Sequence, residues 1–398
     1  MAEKNSSGIS GFHKLSVTER VDYISEKHGM TSEETAMLRT GGGLSMSQAD
    51  KMTENVFTTI NLPVGVVPKF SVNGKEHDVP MALEEPSVIA AVCKIRNIAN
   101  IHGGFKASTT GSIMEGHVQI TDIPDLNKAI SSILDHKDEL LSIANSKDPK
   151  LVSVGGGAKN IGIDVIKTPT QEMLAVRFLV DCKDAMGANA VNGMAETIAP
   201  KLKELTGGKC GVRILSNLAT GRLARASATF DKDALGGKEV VKGIINAYEF
   251  ADSYIQRGAT HNKGIMNGID AVAIALMQDW RALEAGAHSY AAFGRRYGSL
   301  TKYSIDMDGN LVGSIEMPMA VGTVGGSMNA HPMSKLLYKM IDVNGASELA
   351  EVIAAVGLAQ NLGALRALVD EGISKGHMIL HERKAEINNV LRKNENTA

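Results

Sequence analysis

Between residues 112 and 217 the hydrophobic period of the chain changes, and that change dictates a topology. An alternating run, HVQITD (117–122), precedes a polar helical pattern over about 125–146. Two β-rich runs, NIGIDVIKT and MLAVRFLVD, follow one another across a reversal near Pro169 and lead into a second helix from about Met186 to Leu205. GVRILSN then closes the stretch. The order β-α-β-β-α-β is that of a split βαβ, ferredoxin-like unit. The flanking segments are richer in long apolar helices, so the expected fold is α+β. A large, mainly helical domain, discontinuous over 1–111 and 218–374, receives the 112–217 domain as an insertion.

A chain of 398 residues has room for that arrangement. Its 42 Lys+Arg balance 44 Asp+Glu without basic clusters, which excludes a nucleic-acid footprint and points to small molecules or a second copy as partners. Cys93, Cys182 and Cys210 are odd in number and lack metal-ligand spacing, so neither a disulfide framework nor a metal centre is expected. Their use suits the reducing cytoplasm. The opening MAEKNSSGISGF has no apolar leader core, and no uninterrupted run approaches the ~20 apolar residues of a membrane span. A soluble protein without a membrane partner is expected.

The flanks carry the candidate chemistry. LSVTERVDYISEKHG and TSEETAMLRTGG each open on a Ser or Thr cap with Glu three residues on, and Asn73-Gly74 marks a hairpin. A helix runs from Pro86 to about Ile101, so Glu84 and Glu85 lie at its mouth, where acids also serve simply to complement the helix dipole. RGATHNKGIMNG (257–268) combines Arg, His, Asn and Lys with turn-favouring glycines and reads as a loop carrying chemistry; from Ile269 the text becomes a buried helix with Asp279 in its middle. Lys263 and Asp279 are 16 residues apart, about 24 Å along one straight helix, and meet only if the loop folds back. A lysine held against an acid is suited to holding an oxyanion, although a purely structural ion pair has the same signature.

Further candidates lie on other segments. The strand SIEMPMAVGTVGGS ends in Gly322, Gly325 and Gly326, which allow close approach by a ligand or another helix. His377, in GHM, is a candidate proton donor, with a plain surface or core histidine as the alternative. No GxGxxG follows a strand and no GxxxxGK[ST] occurs, so any nicotinamide site is non-Rossmann. The segment Asp184 to Asn189 lies between a strand and a helix, where free amides receive a pyrophosphate or Asp184 serves as an N-cap.

Taken together, EEPSVIAA, DAMGANAVN, RGATHNKGIMNGIDAVAIA with QDWRALEAGAH, VGTVGGS, AVGLAQNLGALRALVDEGI and GHM resemble the class II, bacterial-type 3-hydroxy-3-methylglutaryl-CoA (HMG-CoA) reductases, over about residues 12–380. The resemblance implies interconversion of HMG-CoA with mevalonate and CoA by two nicotinamide-dependent hydride transfers, in a homodimer or higher oligomer with active sites at the dimer interface. It implies Glu85, Lys263, Asp279 and His377 as the catalytic positions, with Asp279 linking Lys263 to Glu85. Ser87, Arg257 and Asn267 then hold the hydroxymethylglutaryl group, and Asp184, Met186, Gly187 and Asn189 contact the cofactor, with Gly322, Gly325 and Gly326 nearby. Asp148 falls where an acid meets the adenosine ribose, which favours NADH, while the flanking Lys147 and Lys150 keep NADPH open. Only 21 residues follow His377, so the 375–398 segment is expected to be a shortened C-terminal flap. The competing expectations are a related CoA-thioester dehydrogenase and a ligand-binding regulatory module.

Overall fold

The computed structural model describes residues 12–370. A 3-10 turn at Phe12–Lys14 leads into α1 (Val17–Lys27), α2 (Ser32–Arg39) and α3 (Met46–Met52), opened by the capping boxes Ser16/Glu19, Thr31/Glu34 and Ser45/Gln48. The hairpin of β1 (Val64–Val72) and β2 (Lys75–Ala82) reverses at Asn73-Gly74, both at positive φ as a two-residue turn between twisted strands requires.

That hairpin is pinned to α1 by one buried acid. Its register shifts between Val67 and Phe70, and the released Lys69 N–H donates to Asp78 Oδ1 at 2.9 Å. Asp78, only 2% exposed, also meets Lys27 Nζ at 2.6 Å and His28 Nε2 at 2.9 Å. Burial works to raise its carboxyl, yet the bonds from His28, Lys27 and the Lys69 amide outweigh it and hold the group at about 2. A depressed carboxyl contributes stability in full above its unfolded value of 3.8, and that contribution is lost as pH falls through about 2. Asp78→Asn is therefore expected to cost about 2 kcal/mol at neutral pH. Urea unfolding of both proteins between pH 7 and pH 2 checks it: the gap should close across the acid end, and a gap independent of pH would assign the loss to packing instead.

Next come α4 (Val88–Asn100) and β3 (Lys106–Thr109), then β4 (Ile113–Thr121), α5 (Leu126–Asp135), α6 (Lys137–Ser146), α7 (Pro149–Ser153), β5 (Gly157–Lys167), β6 (Glu172–Asp181), α8 (Ala188–Thr206) and β7 (Lys209–Ser216). Strands β5-β6-β4-β7 form one fully antiparallel sheet, with alternate residues of β4 and β6 buried beneath α6 and α8. The helix expected over 125–146 is two, broken at His136, whose Nδ1 bonds Ser132 O at 2.8 Å. The second runs from Ala188, one residue beyond a glycine cap rather than from Met186.

The chain then adds β8 (Leu223–Phe230), α9 (Lys232–Leu235), α10 (Lys238–Ser253), α11 (Ile255–Ala275), α12 (Trp280–Ala291), β9 (Thr301–Ile305) and β10 (Leu311–Pro318). A 3-10 turn at Gly326–Asn329, α13 (Pro332–Ile341) and α14 (Ala346–Asp370) complete it. Outside the 112–217 unit the protein is less helical than expected, because β3-β8-β10-β9 make a second antiparallel sheet. Its strand β8, LARASATF, has helix-like propensity, but buried Ala224, Ala226 and Ala228 provide the thin surface on which α14 lies. By length and apolarity α14 meets the requirement for a membrane span; here it is the central core helix, packed on α4, α10, α11 and β8.

The segment 257–268 is helix, not loop. Two of its glycines serve close packing, since a Cβ on Gly258 would come within 2.8 Å of Ala251 O and one on Gly268 within 2.8 Å of Gln360 Cβ, and on the facing α14 a Cβ on Gly357 would come within 2.8 Å of Ile269 Cδ1. Gly268 and Gly357 thus let α11 and α14 cross at short range, and tertiary packing overrides the turn propensity read from sequence.

Candidate active site

Helix α11 divides the HNKG motif between two faces. His261 and Asn262 point inward, where Asn262 Nδ2 donates to Gly298 O at 2.9 Å and Leu300 N–H donates to Asn262 Oδ1 at 3.1 Å. Burial, then the charge of Arg257, lowers the His261 imidazole to about 3, so it sits neutral in the core beside Ser299 and Thr301. Lys263 faces out, with Asn267 and Asp270 one and two turns further along the same face. Its Nζ donates to Glu85 Oε2 at 3.3 Å, the two side chains being 60% and 41% exposed. Glu85 reaches it from the β2–α4 loop, which ends in Ser87 at φ 77, a left-handed conformation that a non-glycine residue adopts at a cost of about 1 kcal/mol. Pro86 thus precedes the helix cap and does not begin the helix, and the Ser87 side chain makes no cap hydrogen bond.

Asp279 is not inside a helix. It occupies the break between α11 and α12, caps α12 by accepting from Ala282 N–H at 3.1 Å, and meets Arg281 at 3.5 Å. Among the described residues no hydrogen bond or ion pair joins it to Lys263 or Glu85, so the expected linkage is not made within one chain. The α12 acid whose field Lys263 feels is Glu284, which lies within hydrogen-bonding reach of Asp270 and 2.8 Å from His288 Nε2. Neither acid was singled out by sequence reasoning. Arg257, half-buried, lies six residues before Lys263 and about 120° round the helix. His377 and the 375–398 segment lie outside the described residues.

The other anticipated residues converge on a second locus. Gly187, at φ 110, caps α8 without a side-chain bond, leaving the first amides of a 19-residue helix open to an anion. A Cβ there would sit 2.4 Å from Cys182 Sγ, so the close approach requires glycine. Asp148 caps α7 through Leu151 N–H at 2.9 Å, and the stem of its neighbour Lys147 lies against Gly193 of α8. Asp184 is a cap, but of a different helix from the one expected: its Oδ1 accepts from Ala346 N–H at the start of α14 at 2.8 Å. Its carbonyl accepts from Thr323 N–H at 2.8 Å, and Ala185 bridges to Val324.

Thus the Asp184–Asn189 and Gly322–Gly326 segments are zipped together by these backbone contacts and by Arg222, a residue absent from the sequence reading, while Gln278 separately fixes Gly322. Buried Arg222 donates to Ala185 O and Met186 O, each at 2.9 Å, and to Val321 O. Gln278 donates to Gly322 O at 2.9 Å and accepts from Gly322 N–H at 2.8 Å. A cleft of about 660 Å³ lies elsewhere, over the outer face of the β3-β8-β10-β9 sheet between Lys106, Arg225, Lys302 and Glu316, and takes in none of these groups.

An exposed lysine paired with a carboxylate can meet a developing negative charge, and an uncapped helix N-terminus held against a glycine loop can meet an anionic group. The family model for hydroxymethylglutaryl-coenzyme A reductase matches residues 16–382, and the chain belongs to that family. It is 52% identical over 382 residues to the 3-hydroxy-3-methylglutaryl-coenzyme A reductase of Archaeoglobus fulgidus, an alignment covering 96% of this chain and 87% of that one. Among solved structures, the reductase from Streptococcus pneumoniae superposes with a TM-score of 0.89 at 39% identity, covering 94% of this chain and 90% of that chain. A class II reductase from the same organism, bound to NADPH in open conformations, gives 0.88 at 40% identity, over 91% of this chain and all of the other. The reaction is accordingly the interconversion of HMG-CoA with mevalonate and CoA, through two nicotinamide-dependent hydride transfers.

Proposed function

We propose that Lys263 and Glu85 are the centre of this reductase reaction, with Asp279 and His377 completing the catalytic set. The observation that carries the reading is the Lys263 Nζ–Glu85 Oε2 contact of 3.3 Å, made between segments 178 residues apart on an open face. Lys263 supplies the positive charge for the oxygen that becomes anionic when the thioester carbonyl is reduced. Glu85 exchanges a proton with that oxygen, and His377 protonates the departing CoA thiolate. Ser87 and Asn267 flank the pair and, with Arg257, hold the hydroxymethylglutaryl group. Asp279 spends Oδ1 on its cap and keeps Oδ2 for the network. Because one chain does not join it to Lys263, a homodimer with active sites at the interface is the arrangement that does. The exposure of the pair leaves room for that second subunit and for the 375–398 flap, which together exclude water.

The 112–217 unit, whose β5-β6-β4-β7 order and antiparallel pairing are those of a ferredoxin-like sheet, is in this reading the nicotinamide-binding domain, inserted in a catalytic domain of 1–111 and 218–374. The open α8 amides at Gly187 and Asn189 fit a pyrophosphate, and the Asp148 carboxylate fits a ribose diol. When bound, the cofactor supplies the hydride. NADH is the favoured form because Asp148 would repel a 2′-phosphate.

Purified protein given HMG-CoA should oxidise two reduced cofactors per CoA released. NADH should show the higher kcat/KM, and Asp148→Ala should narrow the preference about tenfold. Wild-type preference for NADPH would overturn the choice of cofactor, and a stoichiometry of one would overturn the two-step site. A cytoplasmic, soluble homodimer is part of the same reading.

A further inference from the structure

Further along the Lys263 face of α11, where α12 packs against it, lies a chain of buried and half-buried groups for which the reaction as proposed has no use. Asp270 is two turns from Lys263 on the same face of α11. Its carboxyl lies within hydrogen-bonding reach of Glu284 on α12, and its Oδ1 is buried without a hydrogen-bond partner. Glu284 Oε2 lies 2.8 Å from His288 Nε2, and His288 Nδ1 lies 2.8 Å from the Tyr297 hydroxyl. Asn262 Nδ2 donates to Tyr297 Oη at 3.0 Å, and the orientation of that amide is set by Gly298 O and Leu300 N–H.

These contacts assign protons. Asn262 donates to the Tyr297 oxygen, and His288 links that hydroxyl to Glu284, with Nδ1 toward Tyr297 and Nε2 donating to the Glu284 carboxyl. Glu284 is then the acceptor of two bonds and carries the charge. Two carboxyls in contact cannot both ionise cheaply, so Asp270 is the donor to Glu284. The ionisable groups around the pair are Lys263 on α11, His288 on α12, Tyr297 after α12, and Glu85 beyond Lys263.

We infer that Asp270 and Glu284 share a single proton near Lys263 and act as positioning residues, keeping one negative charge near the ammonium so that it stays aimed at Glu85 and the reacting oxygen. The inference deepens the reading of Lys263 as the catalytic cation and rests on it. In support, burial and then Glu284 push the Asp270 carboxyl up to about 8, whereas the bond from His288 lowers Glu284. Release of the shared proton doubles the charge near Lys263 and draws the ammonium away from Glu85. The raised pKa therefore predicts an alkaline limb, with kcat falling as pH rises through about 8.

Infrared difference spectra of the full chain test the proton directly. Wild type should show a protonated-carboxyl stretch at pH 7 that fades through about pH 8, and Asp270→Asn should lack it. Should that variant not fold, Glu284→Gln, which gives Asp270 a donor and lets it ionise, should remove the same band. Asp270→Asn holds one negative charge at every pH and should lose the alkaline limb of kcat. Asp270→Asn with Glu284→Gln removes the charge and should lower kcat roughly tenfold, with KM for HMG-CoA moving less. A band unaltered in either single variant overturns the shared proton. A band that behaves as expected beside an unchanged alkaline limb overturns its action on Lys263. Full turnover by Lys263→Met would leave the infrared result standing and remove the catalytic reading on which the positioning role rests.

Discussion

Lys263→Met should lower kcat for HMG-CoA reduction by about three orders of magnitude while leaving the fold and cofactor binding intact. The side chain is 60% exposed, and its described hydrogen bond is the single one to Glu85, so removing the ammonium breaks no core contact. Methionine keeps most of the stem and its packing. What disappears, in the proposed reaction, is the ammonium assigned to the carbonyl oxygen as charge develops on it, a contribution worth about 3–4 kcal/mol at an oxyanion. The check is oxidation of reduced cofactor with HMG-CoA, run beside a cofactor titration and a urea unfolding curve. Loss of turnover with both controls unmoved assigns the effect to chemistry. A variant retaining a tenth of the wild-type rate would take Lys263 out of the reaction and leave its contact with Glu85 a surface ion pair, worth about 0–1 kcal/mol.

How far residues alone reached can be judged from this same helix. Local signals were legible: the capping boxes at Ser16 and Thr31, the Asn73-Gly74 reversal and the strand-helix order of 112–217 all depend on neighbours within a few positions. Segment 257–268 was misread because a glycine conveys a turn and a helix crossing with the same letter. Only the residues facing Gly268 decide between them, and these, Gln360 and Val356, belong to α14, about 90 positions further on. Lys263 and Glu85 stood out as candidate residues, but their contact across 178 positions was not legible in spacing. Glu284 and Asp270 were missed because an acid on an amphipathic helix reads as solvated surface; what marks them is contact between α11 and α12. The one available clue was the repeated interval Glu284–His288 on α12, which places an acid and an imidazole one turn apart.

Arg222 is the extreme case of a residue silent in sequence, and it sets the second large effect. It is 4% exposed, ion-pairs with no acid among the described residues, and spends its donors on the carbonyls of Ala185, Met186 and Val321. Burial correspondingly pulls the guanidinium below its ordinary value, with the charges of Cys182 and Asp184 opposing. One planar fork therefore holds the turn before Gly187 against the segment before Gly322. Arg222→Met leaves one buried and two part-buried carbonyls without this donor, and at about 1–3 kcal/mol for a buried unsatisfied group and less for the others the expected loss of stability is about 2–4 kcal/mol. The uncapped start of α8 then loses its fixed position relative to the glycine loop. The KM for the nicotinamide cofactor should rise at least about tenfold, with the chemical step less affected. Arg222→Lys retains the charge but presents no fork, and should fall between the two. Urea unfolding and a cofactor titration on the three proteins measure both quantities. Because the clamp touches no proposed ligand, loss of stability with undiminished cofactor affinity would make it purely structural. In that event the 184–189 and 322–326 segments would have to be given up as the cofactor locus, although Lys263 and Glu85 would keep their roles.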